Sequence, residues 1–168
     1  FSLTDAACAS YDPVFKVHPP LRTDEDVKAV KAGLADGTID AIATDHAPHT
    51  DHSKEKSFSE APPGMLGLQT AFSITLEESG LDIHQIFSLM SWRPAVIAGI
   101  ADRHGMTVSP GSRANLCVID LNETWTVSGK SMASLSSNTP YEGRRLRGYV
   151  RHTIQTGEAV VIDGEAQR

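Results

Sequence analysis

The sequence has few of the features that mark membrane, secreted or disulfide-stabilised proteins. No apolar run approaches the ~20 residues needed to cross a bilayer. The first residues also lack the basic and then apolar pattern of a signal peptide. The two cysteines, Cys8 and Cys117, are far apart and lack a metal-type spacing, which indicates buried or reduced thiols. These absences predict a cytoplasmic protein with reduced thiols and no membrane association.

Positive charge is also scarce. The chain has 15 Lys and Arg against 21 Asp and Glu, which gives a net charge of −6. The densest basic cluster, Arg144-Arg145-Leu146-Arg147, is short and is typical of a solvated turn before a strand. This balance argues against nucleic acid as a partner.

The most informative stretch that is present is Asp45-His46-Ala47-Pro48-His49. It follows the apolar run Ala41-Ile42-Ala43-Thr44, so a carboxylate and two imidazoles emerge where a buried strand is predicted to end. Enzymes built on parallel strands carry their catalytic groups at the carboxyl ends of those strands. The stretch therefore predicts a catalytic site, and the alternative is a polar loop rich in histidine.

The first 105 residues show an alternation of strands and helices. Strands are predicted at 14–17 and 39–44, on either side of a helix that begins after the N-cap Thr23 and ends at Gly37. This order indicates a βαβ unit with parallel strands. A long loop is predicted at 46–67, and a loop of this length inside a compact domain is usually functional or disordered. Helices are then predicted at 68–79, at 83–91 with Asp82 as its cap, and from Pro94 to near Gly99.

After Gly105 the pattern becomes all-β. Strands are predicted at 116–121, 125–127, 149–156 and 159–162, and Gly157 lies in the hairpin turn between the last two. We expect residues 1–105 and 106–168 to form two domains. The second is expected to be part of a small β domain whose other strands precede this chain.

Four segments resemble the dihydroorotases of the longer, bacterial type. Residues 37–49 are similar to the last barrel strand of that family and the turn after it. Residues 15–22 are similar to the preceding strand and turn, with His18 where the family usually has Asn. Residues 58–67 resemble the loop that covers the substrate. The fourth similar segment is Ser137-Asn138-Thr139-Pro140-Tyr141.

The resemblance implies an α/β fold. It comprises the C-terminal part of a (β/α)8 barrel, with its last two strands and helices, followed by part of a small β-sandwich domain. A complete barrel of this kind takes ~250 residues, whereas this chain has 168 and begins at Phe1 rather than Met. We therefore expect a C-terminal piece of a larger protein that is inactive by itself.

The resemblance also assigns roles to individual residues. Asp45 is implied as a ligand of a binuclear zinc centre and as the catalytic proton shuttle. The other zinc ligands, including a His-x-His motif, are expected upstream of Phe1. His18, His49, Pro63 and Gly64 are implied to bind the substrate. His46 is expected to point away from Asp45, because neighbouring residues at a strand end face opposite sides.

The implied activity is the reversible interconversion of N-carbamoyl-L-aspartate and L-dihydroorotate in pyrimidine biosynthesis. The implied partners are the N-terminal remainder of the enzyme, a second copy in a homodimer, and aspartate carbamoyltransferase. One alternative is a hydantoinase or allantoinase, which the spacing of His46 and His49 resembles less. A second alternative is a non-catalytic dihydroorotase-like partner of another enzyme, against which the presence of Asp45 and His49 argues.

Overall fold

The computed structural model describes residues 1–105 and 107–167. Its α-helices are α1 (Asp24–Asp36), α2 (Asp51–Lys54), α3 (Leu68–Glu78), α4 (Ile83–Phe87) and α5 (Arg93–Ile97). Its strands are β1 (Leu116–Thr126), β2 (Arg145–Gln155), β3 (Glu158–Ile162) and β4 (Glu165–Ala166). Turns of 3₁₀ helix lie at Asp5–Ser10, Pro13–Phe15 and Gly129–Ser131, and a π-helical turn lies at Ser88–Trp92. Helices therefore precede an antiparallel sheet, which confirms the predicted α/β class.

Helix α1 begins and ends where the sequence predicts. The Thr23 hydroxyl accepts a hydrogen bond from Asp26 N, and the Asp26 carboxylate accepts one from Thr23 N at 3.1 Å. This reciprocal capping box satisfies two backbone donors that the first turn of a helix leaves free. Asp82 and Gln85 form the same arrangement at the start of α4. Both caps are local signals, and both predictions are confirmed.

The two strands predicted in the first half of the chain are wrong. Residues 13–15 form a 3₁₀ turn instead, because Pro13 suits its start and the Asp12 carboxylate accepts from Val14 N at 2.9 Å. Residues 39–44 form no strand ladder; Ile42 N donates to Leu89 O at 2.9 Å. A strand exists only when a neighbouring strand accepts and donates its backbone hydrogen bonds. The described residues place no such neighbour beside either segment.

The predicted helices after residue 82 are differently divided. Helix α4 passes through the π-helical turn at Ser88–Trp92 directly into α5. Proline has no N–H to donate to the residue four positions earlier, and Pro94 lies in the first turn of α5. The wider turn at Ser88–Trp92 accommodates this missing bond.

The tail forms one four-stranded antiparallel sheet in the order β1, β2, β3, β4. The two short strands predicted at 116–121 and 125–127 are a single strand, β1. Its pairing with β2 is interrupted between Asp120 and Thr124, where the Asp120 carboxylate accepts from Asn122 N and Glu123 N. The predicted hairpin between β2 and β3 is confirmed. Thr156 and Gly157 both have positive φ angles, as a tight two-residue hairpin turn requires.

Packing between α3 and the sheet joins the two parts of the molecule. Ile74 of α3 is buried together with Val127, which follows β1, and with Leu146 of β2. The Ser73 hydroxyl donates to Gly148 O at 2.6 Å. Glu78, at the end of α3, accepts a hydrogen bond from Arg144, just before β2. Because α3 follows the loop that contains the predicted site, the sheet supports that loop through α3.

None of the helices within the described residues combines the length and the apolar character needed to cross a bilayer.

Candidate active site

Two segments form the candidate site, which we name the acid–histidine segment (residues 45–49) and the covering loop (residues 58–67). They run side by side near residue 46. Ala47 N donates to Met65 O at 3.0 Å, and His46 forms a parallel β-bridge with Met65. These contacts place residues 46–47 beside Met65, which is distant from them in the sequence.

Asp45 lies exposed at the end of residues 39–44. Its φ angle of 45° is in the left-handed region, which turns the chain sharply there. Its carboxylate makes no hydrogen bond or salt bridge to residues 1–105 or 107–167. The carboxylate is therefore free to bind a group that this part of the protein does not supply.

His46 has a structural task. Its Nδ1 accepts hydrogen bonds from Gly67 N at 3.2 Å and Leu68 N at 3.3 Å. These are free donors at the start of α3, so His46 acts as the cap of that helix. An accepting Nδ1 fixes the neutral tautomer with its proton on Nε2. This arrangement holds the acid–histidine segment against α3.

His49, Pro63 and Gly64 are brought together, as expected for residues of one site. His49 Nε2 lies 3.0 Å from Pro63 O. A carbonyl oxygen can only accept, so Nε2 is the donor, and Nδ1 has no partner among the described residues. Gly64 has a φ angle of 144°, and a Cβ placed there would lie 2.7 Å from His49 Nε2. Only glycine permits this close approach.

The covering loop is anchored on its other side by two lysines. Gly64 N donates to Lys16 O at 2.8 Å, and Lys16 Nζ donates to Ser59 O at 2.9 Å. Lys54 Nζ donates to Pro62 O at 3.1 Å and to Gly64 O at 2.9 Å. Burial lowers the pKa of the Lys54 ammonium, and the charge of Lys16 lowers it further, while Asp12 opposes the change.

Asn138 reaches the site from the segment between β1 and β2. Its Oδ1 accepts from His49 N at 3.1 Å. Its Nδ2 donates to Ala47 O at 3.1 Å and to Gly64 O at 3.2 Å. Asn138 is only 6% exposed. The side chain thus joins the acid–histidine segment to the covering loop.

His18 is exposed and joined to Pro19 by a cis peptide bond. Its imidazole makes no hydrogen bond to the residues that the structure describes. Lys16, two residues earlier, contacts Gly64 through its carbonyl oxygen. A role for His18 in substrate binding therefore stays a prediction.

Sequence reasoning missed Lys54 and assigned no role to Asn138. Asn138 belongs to the fourth segment of the resemblance, so a signal for it was present. Lys54 lies among several charged loop residues and carries no distinguishing signal. Both side chains bond to backbone groups, and such contacts do not depend on the identity of the residues contacted.

The described residues do not by themselves make a metal centre. Within 1–105 and 107–167, no group of three or more His, Cys, Asp or Glu side chains is arranged to hold a metal ion. Catalytic zinc uses three protein ligands and an open position. Asp45 fits the role of one such ligand, because its carboxylate is exposed and has no partner among these residues.

Residues 17–160 match the sequence model of the amidohydrolase family. This range contains the acid–histidine segment, the covering loop, Lys54 and Asn138. The chain therefore belongs to the amidohydrolase family.

Within that family, curated dihydroorotases are similar to almost the whole chain. The dihydroorotase of Streptomyces coelicolor is 48% identical over 97% of this chain, and that of Elusimicrobium minutum is 45% identical over 98%. The matches span 39% and 38% of those two proteins. The chain therefore corresponds to well under half the length of the curated relatives it matches.

Solved hydantoinases share the fold. The L-hydantoinase (dihydropyrimidinase) from Arthrobacter aurescens superposes with a TM-score of 0.87 at 27% identity, covering 99% of this chain and 38% of that one. The D-hydantoinase (dihydropyrimidinase) from Thermus sp. superposes with a TM-score of 0.82 at 26% identity, covering 92% of this chain and 35% of that one. These likenesses confirm an α/β amidohydrolase architecture.

Proposed function

We propose that this chain is the C-terminal part of a zinc-dependent dihydroorotase. The observation that carries the proposal is the acid–histidine segment held against the covering loop, within a sequence 48% identical to the Streptomyces coelicolor dihydroorotase. The full-length enzyme would interconvert N-carbamoyl-L-aspartate and L-dihydroorotate in pyrimidine biosynthesis. This chain alone would be inactive, because its one candidate ligand cannot hold zinc against water.

In the hydrolytic direction, the oxygen of a water molecule bonds to a ring amide carbon, the carbon–nitrogen bond breaks, and the nitrogen takes up a proton. Zinc, when bound, makes water nucleophilic at neutral pH and polarises the carbonyl. We assign Asp45 as a zinc ligand and as the group that takes the proton from water and passes it to the leaving nitrogen. The remaining ligands of a binuclear centre would come from the N-terminal part of the enzyme.

The substrate-binding role is proposed for His49, Pro63, Gly64 and His18. His49 donates from Nε2 to Pro63 O, so Nδ1 is the nitrogen left to face a substrate. Gly64 O already accepts from Lys54 and Asn138, and Gly64 N already donates to Lys16 O. Pro63 O has accepted one hydrogen bond and retains a second lone pair. A ring N–H of the substrate would therefore be bound by Pro63 O, with Gly64 providing close backbone approach.

The architectural proposals follow the same family. Residues 1–105 would complete a (β/α)8 barrel with the N-terminal remainder of the enzyme, and residues 106–168 would complete a small β-sandwich domain. A homodimer in the cytoplasm, with aspartate carbamoyltransferase as a further partner, is proposed for the full-length protein. Light scattering of the full-length protein, with and without that transferase, measures both associations.

The test is the activity of the full-length protein and of its Asp45→Asn variant. We expect turnover of L-dihydroorotate, and a fall of ~10²–10⁴ in kcat for the variant, the range typical of losing a general acid–base group. Asp40→Asn is the matched control, since Asp40 lies five positions earlier and forms an exposed ion pair with Arg93 at 3.6 Å. Near-normal turnover by Asp45→Asn would remove Asp45 from the mechanism.

A related cyclic-amide hydrolase is the second candidate, favoured by the superposition on the Arthrobacter aurescens hydantoinase with a TM-score of 0.87. Hydantoin, dihydrouracil and allantoin assayed beside dihydroorotate distinguish the two. A higher kcat/KM for one of those three compounds would replace the dihydroorotase proposal. No turnover of any of them by zinc-loaded protein would favour a non-catalytic partner.

A further inference from the structure

We infer that Asn138 is a positioning residue for the substrate site: its side-chain amide sets the spacing between the acid–histidine segment and the covering loop. The inference rests on the proposed function, because it concerns how the same site is held. Asn138 lies outside both segments and makes no hydrogen bond to the Asp45 carboxylate or to the His49 imidazole. Its effect would be exerted through backbone groups alone.

The three hydrogen bonds of the Asn138 side chain are compatible with only one orientation of its amide group. Oδ1 accepts from an N–H, and the two Nδ2 protons go to two carbonyl oxygens, Ala47 O and Gly64 O. A flipped amide would place its oxygen against two acceptors and its NH₂ against a donor. An Asn at this position is therefore specified by three partners that lie 74 to 91 residues away in the sequence.

The backbone of Asn138 strengthens the same link. Asn138 O accepts from Leu66 N at 3.0 Å, so side chain and backbone both hold the covering loop. Ser137, the preceding residue, donates from its hydroxyl to the Asp51 carboxylate at 2.6 Å. The segment that carries Asn138 is thus tied to the chain on both sides of Lys54. It cannot shift without moving the covering loop as well.

The position of His49 depends on this arrangement at two points. Its backbone N–H is held by Asn138 Oδ1, and its ring Nε2 is held by Pro63 O. Asn138 also holds Gly64, the residue that follows Pro63. Loss of the amide would therefore release the backbone of His49 and the support of its ring together. A displacement of about an ångström in a binding group can cost ~10²-fold in catalysis.

The alternative is that Asn138 merely stabilises the fold. Buried polar groups that lose their partners cost free energy wherever they lie. The two roles differ in what they change: a stabilising residue lowers the unfolding temperature and the active fraction, whereas a positioning residue raises KM in the protein that remains folded. The test must therefore separate KM from kcat and from stability.

The experiment compares Asn138→Ala and Asn138→Asp in the full-length, zinc-loaded protein. The Asp variant keeps the acceptor for His49 N, loses both donors and has almost the same shape. Asn115→Ala is the matched control, because Asn115 likewise joins two backbone groups, accepting from Thr156 N and donating to Arg103 O, but at the sheet. Unfolding temperature, kcat and KM for dihydroorotate are measured for each protein.

We expect kcat/KM to fall by up to about a hundredfold in both Asn138 variants, mainly through a higher KM, because the displaced groups are those proposed to bind the substrate. Asn115→Ala should lose some stability, but less than Asn138→Ala because its hydrogen bonds are exposed, and its KM should be unchanged. An Asn138→Asp protein that is folded and has the KM of the wild type would overturn the inference. A lower kcat with unchanged KM, matching the loss of active fraction, would also overturn it and make Asn138 a stabilising residue.

Hydrogen exchange supplies a readout that does not depend on the reaction. In Asn138→Asp we expect faster amide exchange at residues 47–49 and 64–66, and unchanged exchange in α1 and in the β2–β3 hairpin. If the wild-type protein fails to turn over dihydroorotate, the proposed function fails, and exchange alone then decides the positioning role. Unchanged exchange at 47–49 and 64–66 would refute it whatever the substrate is.

Discussion

Replacing Gly64 by Ala should disrupt the covering loop by an amount that the structure allows us to work out. A Cβ at Gly64 would lie 2.7 Å from Ala47 Cβ and 2.7 Å from His49 Nε2. Non-bonded heavy atoms prefer separations of about 3.5–4.0 Å, so the loop or His49 would have to move by roughly 0.8 Å or more. The movement would separate His49 from Pro63 and displace the groups that are proposed to bind the substrate.

The cost has two parts. A residue with a Cβ at a φ angle of 144° is strained by on the order of 1–3 kcal/mol. Forcing the extra carbon against well-packed neighbours costs about 1–3 kcal/mol more. If the loop stays in place, the two together lower the free energy of unfolding by ~2–6 kcal/mol. If the loop moves, stability recovers and substrate binding is lost instead.

Gly80→Ala separates the two parts. Gly80 has a φ angle of 75° and no atom within 4 Å of the added Cβ, so it carries backbone strain without a collision. We expect it to cost roughly 1–2 kcal/mol with unchanged kinetics. Urea unfolding and steady-state kinetics of the two full-length variants provide the comparison. Equal losses of stability and equal kcat/KM in both would refute the close approach of Gly64 to His49.

Two further outcomes are expected. His18→Asn should be tolerated and should change KM for dihydroorotate more than kcat, as measured by steady-state kinetics; identical constants would place His18 outside the site. Hydrogen bonding from Arg144 lowers the pKa of Glu78, with burial opposing it and the charge of Arg144 adding to it. A carboxylate with a lowered pKa adds stability that is complete above its unfolded-state pKa of ~4.3, and this stability is lost as pH falls through the lower, folded-state pKa. Urea unfolding should therefore show a stability difference between the wild type and Glu78→Gln that shrinks as the pH is lowered from ~6 to ~3; a constant difference would contradict the ion pair.

Local signals in the sequence identify where α1 and α4 begin, whereas α2 lies inside the predicted loop and the helices after residue 82 are divided differently. Thr23, Asp26 and Asp82 cap their helices through neighbours three residues away, so the sequence contains both partners of each contact. The strands predicted at 14–17 and 39–44 fail for the opposite reason, since a strand depends on partners distant in sequence. The two predicted halves of β1 are one strand, because the Asp120 turn interrupts its pairing without ending it.

The candidate site likewise has parts that the sequence predicts and parts that depend on contacts between residues distant in sequence. Asp45 and His49 are four residues apart and share one motif, so a single sequence identifies them as candidates. The resemblance implies that His49 and Pro63 belong to one substrate site, but it does not specify the hydrogen bond between them. The links from Lys54 and Asn138 to Gly64 O could not be predicted, because each joins a side chain to a backbone carbonyl whose position is set by the folded chain.

The position of the Asn138 side chain between the acid–histidine segment and the covering loop has a consequence for the design of truncated and chimeric proteins. The proposed boundary after residue 105 separates helices from strands, but the hydrogen bonds of Asn138 with His49, Ala47 and Gly64 cross it. So does the packing of Ile74 against Leu146. An expression clone that stops at residue 105, or a chimera that exchanges the tail for that of a distant relative, would leave the acid–histidine segment without this support. Exchanges between relatives should therefore keep residues 45–67 and 137–141 from the same parent.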